Sequence, residues 1–217
     1  WRHLAPKVPG FARKFCEKGS PFTTLAFLID GTFRFTCRPG GDPRRQQAMY
    51  SGHKKGHGFN FQSVLAPDGL IYQGYGPCQG RAHDNRLLRE SGILDKMRDH
   101  CYIDGRQYVI FGDLGYTRNM YLQTPHKGDI TLAQKRFNMK LAGLRIPVEW
   151  AFSGVLANFA FVDFKKNIKI GLMPAGKFFI VAMFLYNCHS CFYENETSLY
   201  FDCPPPSLEE YLQGLSQ

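Results

Sequence analysis

The sequence lacks a long apolar segment and a regular cysteine pattern. Its longest apolar run, Phe178 to Tyr186, is shorter than the roughly 20 residues that a membrane-spanning helix needs. Trp1 to Phe15 includes no apolar signal core. Seven cysteines are an odd number, and they are scattered without framework spacing, which favours a reducing compartment. We therefore expect neither a membrane partner nor a disulfide-stapled secreted module.

Acidic residues are also few, 18 against 27 lysines and arginines, and the formal net charge is +9. This surplus favours a polyanionic partner such as nucleic acid. The hydrophobic content of 44% excludes a disordered chain. We expect one main domain over residues 25–192. Residues 1–24, basic and rich in turn formers, predict a leader on the surface, and residues 193–217 predict a C-terminal tail.

Local patterns predict a mixed α/β fold. Apolar runs at residues 25–29 and 108–111 indicate buried strands, and residues 59–66 and 70–75 indicate a hairpin. Helical spacing of apolar residues follows Asp84, which could cap that helix. Two further helices are predicted over residues 131–142 and 147–158, whereas residues 38–55 resemble a loop.

Three carboxylates stand next to apolar predicted elements. Asp30 and Asp113 follow the two predicted buried strands, where side chains reach the ligand-binding crevice of an open α/β sheet. Glu149 lies near the start of an apolar predicted helix. Such carboxylates could hold Mg²⁺ for phosphodiester chemistry. Two other interpretations stay open at this point: Asp30-Gly31 as a simple turn, and Glu149 as a solvated charge favoured by the helix dipole.

Six short motifs occur in order along residues 25–190. They are Ile29-Asp30-Gly31-Thr32, Lys55-Gly56-His57 leading to Asn60-Phe61-Gln62, His83-Asp84-Asn85, Gly112-Asp113-Leu114-Gly115-Tyr116, Gln134 to Asn138 with Arg145, and Val148-Glu149-Trp150-Ala151-Phe152. Together they resemble the motifs of DDE transposases of the PIF/Harbinger group and of the nucleases domesticated from them.

The resemblance implies a ribonuclease H-like fold with a mixed central sheet flanked by helices. It further implies a catalytic triad of Asp30, Asp113 and Glu149, with Asp84 as an additional metal ligand. The implied activity is DNA phosphodiester hydrolysis, followed by strand transfer in a full transposase, with Mg²⁺ or Mn²⁺ as a cofactor, two ions in all. DNA, a Myb-like accessory protein and a second copy of the chain are the implied partners, and in a eukaryote the implied location is the nucleus, with a cytoplasmic pool.

The chain departs from the family pattern after the glutamate. Trp150, Ser153, Val155 and Leu156 stand where the family has an arginine, a Phe-Gly pair and a Leu-Lys pair. Basic contacts to the DNA backbone would be lost there. The alternative to an active endonuclease is therefore a descendant with the same fold that binds DNA or protein without cleaving.

Other side chains have weaker patterns. Basic clusters occur at residues 44–45, 54–55 and 165–169, and we expect Arg45, Lys54 and Lys55 to contact phosphates. A zinc-stabilised interaction module is a third alternative, because Cys188 and Cys191 have a spacing that zinc accepts, although no second pair with matching spacing follows.

Overall fold

The computed structural model describes residues 1–163 and 168–215, and it shows a mixed sheet with helices on both faces. The strands are β1 (Leu25–Phe35), β2 (Tyr50–Ser51), β3 (Gly56–Leu65), β4 (Ile71–Gln79), β5 (Tyr102–Ile103), β6 (Arg106–Gln107), β7 (Val109–Phe111) and β8 (Leu122–Gln123). The α-helices are α1 (Val8–Glu17), α2 (Pro43–Met49), α3 (Asp84–Glu90), α4 (Ile93–His100), α5 (Leu132–Asn158), α6 (Ala175–Tyr193), α7 (Glu196–Phe201) and α8 (Leu208–Leu215).

Six of the strands in the described residues form the main sheet, in the order β2-β3-β1-β7-β8, with β4 also paired to β3. The β1–β3 and β3–β4 pairs are antiparallel, whereas β7 and β8 add to β1 in parallel. β5 and β6 form a separate small hairpin. The sheet is therefore mixed, and β1 lies at the junction of its antiparallel and parallel halves.

Successive side chains of a strand point to opposite faces, and β1 packs a core on each. Leu28 belongs to a cluster with Leu144 and Val148 of α5. Ile29 belongs to a second cluster that includes residues of α1, α3 and α4. The same alternation places Asp30 on the α5 face of the sheet and Gly31 on the α3 face.

The segment predicted as a surface leader includes a helix, α1, that packs into the core. Val8, Phe11, Ala12 and Phe15 of α1 are buried, because apolar residues at i, i+3, i+4 and i+7 make one face of a helix. Of the basic residues that suggested a leader, Arg13 and Lys14 lie at other positions of α1, and Arg2, Lys7 and Lys18 flank the helix. The prediction of a surface segment is wrong for this helix.

Other local predictions also need correction. The two predicted helices are the single helix α5 (Leu132–Asn158), which continues through Pro147, so the predicted break is absent. Its N-terminus carries a capping box of Thr131 and Gln134. The predicted loop at residues 38–55 includes α2 and β2. His83, not Asp84, is the N-cap residue of α3, and Asp84 is its first helical residue.

The C-terminal segment is attached to the core. Asn187 of α6 accepts a hydrogen bond from the backbone N–H of Ile71 and donates to the Ile71 carbonyl and to the hydroxyl of Tyr211 in α8. Phe201 of α7 is buried against Phe15. The predicted tail thus consists mainly of two packed helices. No helix among the described residues is long and apolar enough to span a membrane.

Candidate metal and nucleic-acid site

Asp30 and Asp113 lie at the same end of two neighbouring parallel strands. The last parallel pair of β1 and β7 is Leu28 with Phe111, and each aspartate follows its strand residue by two positions. β1 continues past Asp30 to Phe35, because β3 still pairs with it there. The apolar run at residues 25–29 predicted a strand that ends at Asp30, and this detail of the prediction is wrong.

Asp84 reaches the same place from the opposite face of the sheet. A Cβ at Gly31 would lie 2.7 Å from its Oδ1 atom. A Cβ at Gly115 would overlap the Oδ2 atom of Asp84 and lie 3.0 Å from Oδ1 of Asp113. Glycine at these two positions leaves the space that the carboxylates fill, and this is the physical reason for Gly31 and Gly115 in the two motifs.

Hydrogen bonds from the motif residues hold the segment that carries Asp84. The Asn60 side chain donates to the carbonyls of Gly80 and Ala82, at 3.1 and 2.8 Å. Asn85 accepts a 2.7 Å hydrogen bond from the backbone N–H of Thr117. The loop before α3 is therefore tied to β3, and α3 is tied to the loop that follows Asp113.

The three aspartates line one cavity of about 700 Å³. Arg145 of α5 joins them, and His53, Lys54, Arg81 and His83 also line this cavity. The cavity therefore combines carboxylates with basic side chains. Such a lining suits a ligand that has cations to pair with the carboxylates and anionic groups to pair with the basic residues.

Burial and mutual repulsion disfavour the charged forms of these carboxylates. Burial raises the pKa of Asp30 to about 6; the Arg145 guanidinium opposes this rise and the Asp113 charge adds to it. Burial and the Asp113 charge also raise the pKa of Asp84. A bound divalent cation would relieve both effects, because it supplies the missing positive charge.

The Tyr116 hydroxyl is a further polar group at this site. It is buried and has no hydrogen-bond partner among the described residues. Burial raises its pKa well above the usual value, and the charges of Asp84, Asp30 and Asp113 add to this rise. A buried hydroxyl without a partner is costly, and a cation with bound water next to the three carboxylates would offer it one.

Arg145 is the direct partner of Asp30. Its Nη2 atom lies 3.1 Å from Oδ2 of Asp30, and the two side chains are 24% and 14% exposed. The other oxygen, Oδ1, accepts the backbone N–H of Gly31 at 3.0 Å. Both oxygens of Asp30 are therefore engaged.

Glu149 does not line the cavity, and its side chain is exposed. It follows Arg145 by four residues on α5, so the two lie on the same side of the helix one turn apart. Within residues 1–163 and 168–215, no three His, Cys, Asp or Glu side chains are arranged to hold a metal ion. The structure places three of the four predicted carboxylates in one cavity without arranging them as metal ligands, and the role of Glu149 stays a prediction.

The predicted phosphate contacts divide between two places. Lys54 lines the cavity, whereas Lys55 is exposed next to it in the chain. Arg45 lies on α2, with its Nη1 atom 3.2 Å from where a Cβ of Gly171 would be, and it does not line the cavity. Lys165 and Lys166 of the third basic cluster lie outside the described residues.

The zinc alternative finds no support in the cysteines. Cys188 and Cys191 lie on α6, and burial raises the pKa of Cys191 to about 11, with the neighbouring Cys188 adding to the rise. Zinc requires thiolates, which such a pKa disfavours.

Sequence reasoning assigned no role to Arg81, Tyr116 and Arg145, although the last two fall inside the quoted motifs. Arg81 precedes the His-Asp motif by two residues, and only the folding of that loop over β3 brings it to the cavity. Tyr116 could have been identified from its position three residues after Asp113. The chain turns there, with the Tyr116 N–H bonded to the Asp113 carbonyl at 3.3 Å, so the Tyr116 ring lies close to the end of β7.

A mixed α/β fold with carboxylates from three separate segments around a basic-edged cavity is typical of enzymes that act on phosphodiesters. A family model described as DDE superfamily endonuclease matches residues 29–187, which is more than half of the chain. The chain therefore belongs to the DDE superfamily endonuclease family. Neither a curated protein nor a solved structure matches it.

Proposed function

We propose that the chain is a divalent-cation-dependent DNA endonuclease core of the transposase type. The observation that carries this proposal is the meeting of Asp30, Asp84 and Asp113, from three distant segments, in one cavity. Three partly buried carboxylates that share one cavity are unfavourable together unless cations neutralise them. Membership of the DDE superfamily endonuclease family supports the same conclusion.

The chemistry of the three carboxylates fits Mg²⁺ or Mn²⁺, and because the described side chains are not yet arranged as a set of three ligands, binding would have to draw the carboxylates closer together. These hard cations prefer carboxylate oxygens and keep part of their water shell, and the cavity supplies three carboxylates with space beside them. Asp30, Asp84 and Asp113 would hold the ions. When bound, the cations lower the pKa of the attacking water and stabilise the leaving oxygen. We include Glu149, one turn beyond Arg145, as the fourth ligand of the proposed pair of ions.

The remaining residues bind and orient the substrate. Lys54 and Arg81 line the cavity beside the carboxylates and would pair with phosphate oxygens that flank the scissile bond. Lys55 and Arg45 would extend these contacts outside the cavity. His83 is the N-cap residue of α3 and makes no side-chain cap hydrogen bond. We therefore propose that it positions Asp84, the next residue, and does not transfer a proton.

We also propose a ribonuclease H-like fold. The strand order supports it: an antiparallel set of β4, β3 and β1 is followed by the parallel strands β7 and β8. Asp30 lies on β1. Asp113 follows β7, which is the fourth strand of the main sheet in chain order when the two-residue β2 is left out. The PIF/Harbinger resemblance implies these two positions. The subtype itself, strand transfer, a Myb-like partner, a homo-oligomer and a nuclear location belong to the same proposal.

One observation favours a second candidate, a descendant that binds DNA or protein without cleaving it. Glu149 is exposed outside the cavity, and Trp150 and Ser153 stand where the family has basic and aromatic residues. In that case the three aspartates would be a remnant of the ancestral site.

Nicking of supercoiled plasmid by the purified chain tests the proposal. Wild-type protein should nick in Mg²⁺ or Mn²⁺, and Asp113→Asn should reduce the rate by about 100-fold or more, because a lost ligand weakens the stabilisation of the leaving oxygen. Asp129→Asn, on an exposed loop, is the matched control. Equal nicking by wild type and Asp113→Asn would contradict the proposal.

The Glu149→Gln variant separates the two candidates. In an active enzyme with Glu149 as a ligand, this change should abolish nicking while leaving the melting temperature unaltered, because the side chain is exposed. Absence of nicking by the wild type itself, together with retained DNA binding, would favour the non-cleaving candidate.

A further inference from the structure

Arg145 already provides positive charge at Asp30, where a bound cation would also provide it. Oδ1 of Asp30 accepts a backbone N–H and Oδ2 faces the guanidinium at 3.1 Å. A cation that approaches Oδ2 from the cavity meets the positive charge of Arg145, which repels it as long as the guanidinium stays paired with Asp30. The two positive groups therefore compete for one carboxylate oxygen.

The displaced guanidinium would stay at the cavity. Arg145 lines it together with the three aspartates, and α5 fixes its backbone. Its Nε atom is buried without a hydrogen-bond partner among the described residues, so the side chain already carries an unused donor. A guanidinium offers paired N–H groups in a geometry that matches two phosphate oxygens.

We infer that Arg145 is an exchange residue: it neutralises Asp30 in the cation-free protein and, once a divalent cation takes Asp30, contacts the phosphate of the substrate. This inference rests on the proposed function. It assigns to one side chain two opposite effects, weaker cation binding and faster cleavage. A residue that only supports the fold would not give both.

The exchange of Arg145 also links cation binding to DNA binding. Without cation, Arg145 is paired and offers little to DNA. With a cation bound, the ion would neutralise Asp30, and Arg145, which is the basic residue of α5 that lines the cavity, would be available to a phosphate. Cation and DNA should therefore bind with positive coupling, since each favours the state in which Arg145 has left Asp30.

Titration of the cation-free chain with Mn²⁺ by calorimetry tests the first effect. Arg145→Gln should bind Mn²⁺ about fivefold more tightly than wild type, because a partly buried ion pair of about 1 kcal/mol no longer competes. Arg136→Gln, on an exposed position of the same helix, is the matched control and should bind as the wild type does. Arg145→Lys should show a smaller gain, since a single ammonium replaces the guanidinium fork.

The second effect is measured on a short DNA duplex at saturating Mn²⁺. Arg145→Gln should lower kcat/KM about tenfold or more, despite its tighter cation binding, and Arg145→Lys should restore part of the loss. Melting curves of each variant establish that it is folded, and Arg145→Lys carries the test if Arg145→Gln is not.

The outcomes distinguish the inference from the function on which it rests. Wild type that binds no Mn²⁺ would overturn the proposed function. Wild type that binds and cleaves, with Arg145→Gln and Arg145→Lys binding Mn²⁺ equally or more weakly, would overturn the exchange role alone. Tighter Mn²⁺ binding with unchanged cleavage would overturn the phosphate contact.

Discussion

Asp68 lies in the turn between β3 and β4, and its side chain is 2% exposed. Its oxygens accept hydrogen bonds from the backbone N–H of Leu70 at 3.1 Å and from the hydroxyl of Tyr72 at 2.5 Å. Burial nevertheless raises the pKa of Asp68 from 3.8 to about 6. The Asp-Gly sequence predicted a turn here but gave no sign of burial.

This pKa predicts a stability that falls as pH rises. The folded protein holds the Asp68 proton up to about pH 6, whereas the unfolded chain loses it near 3.8, so the stabilising contribution is complete below pH 3.8 and is lost through pH 6. Two pKa units correspond to a change of about 3 kcal/mol. Asp68→Asn should lose the Asp68 part of this dependence, whereas the part that comes from the raised pKa values of Asp30 and Asp84 stays; urea unfolding between pH 4 and 7 measures the difference from wild type.

Asp104→Asn, in the exposed turn between β5 and β6, controls for the amide substitution and should keep the wild-type profile. If Asp68→Asn and wild type show parallel stability curves over this pH range, Asp68 is not the group responsible.

At the scale of elements, α1 shows how a basic composition conceals a core helix. Phe15 is fully buried, with its ring centroid 4.8 Å from that of Phe201 in α7. α1, near the start of the sequence, therefore packs against α7, near its end. Its basic residues are mostly on the outer face, where Arg13 is exposed and Lys14 pairs with Glu17 and Asp202.

We predict that Phe15→Ala lowers the free energy of unfolding by about 3 to 5 kcal/mol, because it removes a buried ring and leaves a cavity. Arg13→Ala, two positions away on the exposed face, should change it by less than about 0.5 kcal/mol. Urea denaturation followed by circular dichroism gives both values. Similar small losses in both variants would mean that α1 is a dispensable surface element.

The helix α5 shows a second effect at this scale. Pro147 cannot donate to the carbonyl of Gly143, and such a proline normally breaks or kinks a helix. The carbonyl of Pro147 accepts a 3.1 Å hydrogen bond from Thr197 of α7, and Leu144, Val148 and Ala151 are buried on either side of it. Packing on both sides of the proline keeps Arg145 and Glu149 on one continuous helix.

At the scale of the whole molecule, the net charge of +9 favours binding to a polyanion, and the cavity places part of that charge beside the carboxylates. Each phosphate neutralised by a basic side chain releases counterions, so affinity for DNA should fall linearly with salt on a logarithmic scale. Lys54, exposed and lining the cavity, is the residue best placed to contribute.

Lys54→Ala should reduce the slope of log affinity against log salt by about 1, with little dependence on DNA sequence. Anisotropy of a labelled duplex without divalent cation gives the slope. Lys177→Ala, an exposed position on α6 that does not line the cavity, should leave the slope within error of wild type. Equal slopes for Lys54→Ala and wild type would show that Lys54 does not contact DNA phosphates.

The sequence by itself determined the mixed α/β character, the buried strands before Asp30 and Asp113, the β3–β4 hairpin and the family, because these depend on local apolar periodicity and on short motifs. Only the tertiary structure decided that α1 is a core helix, that α5 is continuous through Pro147, and that Asp84 joins Asp30 and Asp113. It also decided that Arg145 pairs with Asp30. These features depend on contacts between segments far apart in the chain, and burial and charge compensation, not local propensity, set their energies.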